Sequence, residues 1–195
     1  MRSTTLAAVL IVSLATAACS SNANTAASTE SKSTTTTDVA IASEISVATN
    51  IDGVKTFGPL LQEHVDTPVS YPQSPPVGGS HDPKWQNCGV YDTPVKNENA
   101  VHSMEHGAVW LTYRPDLPAD QVAIVRAFAR NHSHVLVSPY EGLTEAVVAN
   151  AWGKQLRLDS VTDARLAAFV VEYEQGPQTP ELGVTCGGAI GSPIE

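Results

Sequence analysis

Basic residues are scarce in this chain. Across 195 residues, 11 lysines and arginines stand against 20 aspartates and glutamates, a formal net charge of −9. An acidic surface without a basic stripe argues against nucleic acid as a partner. It is compatible with cation capture, although most such charge is ordinary solvated surface. Long apolar runs are also missing: Leu6 to Val12 is too short for a membrane-spanning helix, which needs roughly 20 apolar residues. No internal repeat is present, and no Gly-x-Ser-x-Gly or comparable nucleophile motif. Methionine is rarer still, with Met104 the sole one after the initiator, and cysteine is limited to Cys19, Cys88 and Cys186.

What the N-terminal part does contain is an export pattern. Arg2, the apolar core and the small residues up to Ala18 read as a signal peptide over 1–18. Its removal takes away Arg2 alone and moves the formal net charge from −9 to −10. Ala15-Thr16-Ala17-Ala18-Cys19 resembles a bacterial lipobox, with threonine where leucine is most usual. Cys19 is therefore the expected lipidation site, and the membrane an expected partner through that anchor; an ordinary secreted protein is the other reading. Residues 19–50 are rich in Ser, Thr, Ala and Asn and read as a disordered tether. A flexible chain of about 30 residues spans roughly 30 Å, so the expected place is extracytoplasmic, close to the membrane.

The remaining 51–195 is enough for a single globular domain. With Cys19 lipidated, Cys88 and Cys186 form an even remainder, which in an exported chain reads as a disulfide. Closing a loop of about 100 residues contributes up to ~4–5 kcal/mol in the chain-entropy view. The alternative is Cys88 as a thiolate ligand.

Punctuation and periodicity give the fold class. Residues 51–58 are β-like, and Pro68 to Pro83 is a stiff Pro/Gly-rich loop carrying His81 near its end. Lys96-Asn97-Glu98-Asn99 reads as a polar turn. Strands are expected over 108–113, 135–138 and 147–152, the last turning at Gly153 and continuing through Leu158. A helix after Pro118 presents Val122, Val125, Phe128 and Ala129, and a second presents Leu166, Phe169, Val170 and Tyr173 before Gly176-Pro177, with Ser160 and Asp163 as its capping pair. The expected fold is α+β: a small antiparallel or mixed sheet with two helices on one face, like a ferredoxin-like half, plus the N-terminal Pro/Gly-rich loop region.

Function is sought in Val101-His102-Ser103-Met104-Glu105-His106-Gly107. Four residues is close to one helical turn and two strand periods, so both imidazoles point the same way on either backbone. If the stretch is extended, His102, Met104 and His106 form one row, and nitrogen with thioether suits copper. If it is helical, His102, Glu105 and His106 offer a nitrogen and carboxylate set closer to zinc. His81 is the third histidine of either set. The strand-like run after Gly107 favours the extended form, and so copper ahead of zinc. His132 and His134 read as surface groups at a turn. His102-x-x-Glu105-His106 also matches the inverzincin pattern, in which the glutamate activates a zinc-bound water, but a glycine and a β-rich run follow at once instead of a long helix. Two non-catalytic alternatives stand beside the metal: a His/Glu cluster that is structural, and a binding module with Trp85, Tyr91 and Trp110 as its patch.

Together, Pro75-Pro76-x-Gly78-Gly79-Ser80-His81, Trp85…Cys88-Gly89-Val90-Tyr91, the His102–Gly107 segment and Ala151-Trp152-Gly153 resemble the bacterial family called domain of unknown function 3105, over about 65–175. Many members look secreted or membrane-tethered. The resemblance supports His81, His102, Glu105 and His106 as the residues of interest and assigns them no activity.

Overall fold

The computed structural model describes residues 50–195. The expected signal peptide, the lipidated Cys19 and almost all of the tether lie outside the described residues. Among the described residues, no helix is long and apolar enough to cross a membrane.

The domain is α+β, built on one mixed six-stranded sheet. Its strands are β1 (Lys55–Thr56), β2 (Gly89–Val90), β3 (Val109–Tyr113), β4 (Val135–Pro139), β5 (Val147–Ala151) and β6 (Lys154–Leu158). Their order across the sheet is β1-β6-β5-β3-β4-β2. β3, β5 and β6 run antiparallel, with Leu111 opposite Ala149 and Ala149 opposite Leu156. β3 and β4 run parallel, with Leu111 opposite Val137, because α2 (Ala119–Ala127) and a 3-10 turn at Phe128–Asn131 carry the chain back between them. Parallel strands require such a crossover, whereas Trp152-Gly153 suffices for the β5–β6 hairpin.

Alternation along the strands separates two faces. Val109, Leu111, Val135, Val137, Val147, Ala149, Leu156 and Leu158 turn to one side, where Val125 of α2 and Leu166, Phe169 and Val170 of α3 (Ala164–Tyr173) complete an apolar core. These are the two helices expected on one face. Asp163 itself caps α3, its carboxylate accepting from Arg165 N at 2.9 Å, while Ser160 stands in the preceding turn and is not the cap.

Trp110, Leu136 and Trp152 face the other way and meet a third helix, α1 (Asn97–Glu105), through Ala100, Val101 and Met104. Its first turn was not expected, since Lys96-Asn97-Glu98-Asn99 reads as a polar turn, and of the two backbones weighed for the histidine stretch it takes the helical one. Its stability comes from context: residues 98–105 are all buried, and side chains of the helix bond to backbone groups of the segments packed on it. Glu98 Oε1 accepts from Val69 N at 2.9 Å, and Ser103 Oγ donates to the Gln86 carbonyl at 2.6 Å. The first bond ties the Pro/Gly-rich loop to α1 and the second ties the segment just after it, and each satisfies a group whose lone burial would cost ~1–3 kcal/mol. α1 ends at Gly107, whose φ of +94° reverses the chain into β3 and where a Cβ would collide with Gln175.

Cys88 and Cys186 are disulfide-bonded, 98 residues apart in sequence, and the bond holds the C-terminal tail beside α1. Cys88 is therefore not a free thiolate. Trp110 and Tyr91 are buried and Trp85 is half-buried against the histidines, so these three do not make an exposed patch.

Candidate metal centre

α1 decides the geometry around the histidines. Helical spacing places His102, Glu105 and His106 on one side of the chain and turns Met104 about 200° away from His102. Met104 is fully buried among Ala100, Trp110, Leu136 and Trp152, in the apolar cluster. The extended row His102–Met104–His106 is thus corrected: a helix occupies the stretch, and the thioether serves packing on the opposite side.

Three elements bring donors to the polar side of α1. The Pro/Gly-rich loop supplies His81, completely buried, and the stretch that precedes the loop supplies His64, whose side chain is 48% exposed. A parallel β-bridge joins the two, with Val65 N donating to the His81 carbonyl at 2.7 Å. The disulfide-held tail supplies Glu181, whose backbone N–H donates to the Glu105 carbonyl at 3.0 Å. His64 rings stack on His102 with centroids 4.8 Å apart, and Trp85 leans on His106 at 4.7 Å.

The three buried histidines are oriented in the same manner. Nδ1–H of His81 donates to the Gly79 carbonyl at 2.8 Å, that of His102 to Asp82 at 2.7 Å, and that of His106 to Thr185 at 2.9 Å. A carbonyl can only accept, so each bond fixes the Nδ1–H tautomer and leaves Nε2 as the inward-facing nitrogen. His81 Nε2 lies 2.9 Å from Glu105 Oε2, an ion-pair contact that is not aligned as a hydrogen bond. His64 Nε2 is 3.7 Å from the same oxygen. His102 Nε2 and His106 Nε2 face each other at 3.1 Å, and His106 Nε2 is 3.3 Å from Glu181 Oε2.

Electrostatics separates the members. Burial, reinforced by the neighbouring His81, His106 and His64, drives the His102 pKa down to about 4 against the pull of the Asp82 carbonyl, so His102 is neutral at pH 7. Burial pushes His81 down as well, but Glu105 and the Gly79 carbonyl outweigh it and leave the pKa raised. For Glu105, burial favours the acid form, and the contact with His81 and the charges of His81, His102 and His64 more than reverse this.

Two groups of side chains are close enough to hold a metal ion. One is His64, His81, His102 and Glu105; the other is His102, His106 and Glu181; within each, the donor atoms lie within 4.8 Å of one another. The sequence-predicted His81, His102, Glu105 and His106 are thus brought together. His64 and Glu181 were missed. No local pattern marks His64, while Glu181 could have been suspected from its place five residues before Cys186. His132 and His134 are engaged with Glu174, which contacts His132 Nδ1 and accepts from His134 N at 2.8 Å.

The sequence matches, over residues 64–188, the family described as "Protein of unknown function (DUF3105)". The chain belongs to this family. The matched DUF3105 region begins at His64 and takes in all six donor side chains and both disulfide cysteines. No curated protein and no solved structure matches the chain.

Proposed function

We propose that the domain binds a divalent transition-metal ion through His64, His81, His102 and Glu105. The observation that carries this reading is the set of Nε2 atoms. Three buried imidazoles donate from Nδ1 to backbone carbonyls and turn Nε2 inward, and the one on His81 has no aligned hydrogen-bond partner. Metal-bound histidines are oriented by such second hydrogen bonds. A purely structural hydrogen-bonded cluster fits less well, because opposed Nε2 atoms at 3.1 Å repel unless a proton or a metal ion comes between them.

Nitrogen and carboxylate donors without thioether favour zinc over copper(I). The copper preference depended on an extended backbone and on Met104, and the helix removes that ground. Half-exposed His64 is the arm through which an ion enters from solvent, and buried His81, His102 and Glu105 retain it. We place this activity outside the cytoplasm, on an acylated Cys19 and a tether of about 30 residues. The family assignment and the disulfide are compatible with that place and do not decide it.

X-ray absorption at the zinc edge of the zinc-loaded protein tests the donor set. The expected shell is nitrogen and oxygen at ~2.0–2.1 Å, with imidazole scattering that weakens in His81→Ala. A sulfur shell near ~2.3 Å, or a spectrum unchanged in His81→Ala, would contradict the assignment. Mass analysis of the membrane-associated mature N-terminus tests the anchor: diacylated Cys19 is expected, and an unmodified N-terminal peptide retaining or lacking Cys19 rules it out.

A further inference from the structure

We propose that the cluster is a two-ion centre, with a second metal position at His102, His106 and Glu181 beside the first at His64, His81 and Glu105. This rests on the metal-binding reading and extends it from one ion to two.

The argument begins with the single free nitrogen of His102. Its Nδ1 is committed to the Asp82 carbonyl, so the side chain cannot bridge two ions and must serve one at a time. It lies within reach of both groups. With a single ion bound, His102 completes the set of His64, His81 and Glu105. The close contacts, however, divide the six donors differently: His64 and His81 gather on Glu105 Oε2 at 3.7 and 2.9 Å, while His106 gathers His102 and Glu181 at 3.1 and 3.3 Å. Ligand atoms around one tetrahedral zinc ion stand about 3.3 Å apart at ordinary bond lengths. Each half is therefore a nearly assembled triad of two histidines and one carboxylate.

The second triad is a built site and not an exposed glutamate near a histidine. His102 and His106 are each at least 96% buried, at 4% and 2% exposure, and their Nε2 atoms face each other across a gap that calls for a cation. The Thr185 carbonyl that orients His106 and the Glu181 backbone that docks on Glu105 belong to the same tail segment, and Cys186 fastens it to Cys88. Gly183 N adds a bond to Gln175 Oε1 at 3.0 Å. The tail thus delivers Glu181 from one end and the His106 acceptor from the other. Paired metal ions typically lie about 3.5–4 Å apart, and the two triads adjoin at His102, which belongs to both groups of donors. Each triad supplies three donors, one fewer than the four that zinc ordinarily takes.

The test is calorimetric titration of the chelator-stripped full-length chain with zinc(II), paired with metal analysis after dialysis, on wild type, Glu181→Gln and His64→Ala. Glu181 is half-exposed through its side chain and docks through its backbone, so Glu181→Gln keeps the fold; the far-ultraviolet spectrum verifies this. Two equivalents are expected in wild type. Glu181→Gln should bind one equivalent with near-normal affinity and the other at least tenfold more weakly, and His64→Ala should weaken the opposite one. A wild type that saturates at one equivalent, with Glu181→Gln indistinguishable from it, overturns the second position and leaves the first standing. Absence of binding in wild type overturns both.

Discussion

The two faces of the sheet are built on different rules. One is packed by α2 and α3 with Val125, Leu166, Phe169 and Val170 against the valines and leucines of β3 to β6, and its cohesion is burial of apolar surface. On the other, α1 and the Pro/Gly-rich loop lie over Trp110, Leu136 and Trp152, and many buried polar groups are held by specific hydrogen bonds while His81 Nε2 is left without an aligned one. Trp110 Nε1 donates to Ser138 Oγ at 3.0 Å, and Gln155 Nε2 reaches both Asn150 Oδ1 at 2.9 Å and the Pro75 carbonyl at 3.0 Å. The comparison teaches that the apolar face supplies stability and the polar face holds chemistry in place. Hydrophobic packing tolerates rearrangement, whereas a satisfied polar network admits few geometries and so can aim three imidazoles inward.

Substitutions should separate these roles. Phe169→Ala on the apolar face should cost about 3–5 kcal/mol of stability, because the side chain is fully buried in the apolar core. Denaturant unfolding measures the loss, and zinc affinity below the unfolding transition should remain at the wild-type value. Affinity falling in parallel with stability would mean that the faces are not independent.

A pH series reports the polar face. Folded His102 titrates at about 4, against 6.5 for the free side chain, so between these values the unfolded chain binds more protons and stability falls as pH falls. The full effect below pH 4 is on the order of 3 kcal/mol. His81 acts in the opposite sense. Its raised pKa gives stability that is present below 6.5 and is lost as pH rises through the folded value. Metal-free wild type and His102→Gln compared in urea across this range should differ in slope, with the variant losing less stability between pH 6.5 and 4. Parallel curves would show that His102 is not held neutral.

The smallest effect belongs to the residue that first suggested copper. Met104→Leu is a volume-conserving exchange inside the apolar cluster and should cost less than about 1.5 kcal/mol. Metal affinity should be unchanged for zinc(II) and copper(I) alike, as read by competition with a chromophoric chelator. A copper(I) affinity that drops would return the thioether to the site.

The same contrast explains what the sequence discloses. α2, α3 and β3 to β6 were legible because their partner is a generic apolar surface, and periodicity with proline and glycine punctuation is enough to mark such elements. The pairing of Cys88 with Cys186 followed from counting. α1 was hidden because its first turn is Asn-Glu-Asn, and the features that make it helical are Val69, Gln86 and Asp82, remote groups that no local window contains. The error at Met104 followed directly, since choosing strand over helix moves every alternate residue to the other side. His64 and Glu181 reach the cluster through a single β-bridge and a disulfide-held tail, contacts that leave no periodic trace.

The central claim is that buried imidazoles on the polar face hold a metal ion, and His102 is the donor common to both groups. Equilibrium dialysis of the full-length chain against buffered zinc(II), with His102→Ala alongside, tests it most directly. The account predicts tight uptake by wild type and loss of at least tenfold in affinity in the variant, with both proteins folded by circular dichroism. Wild type that takes up no zinc, or a folded His102→Ala that retains wild-type affinity, would contradict it.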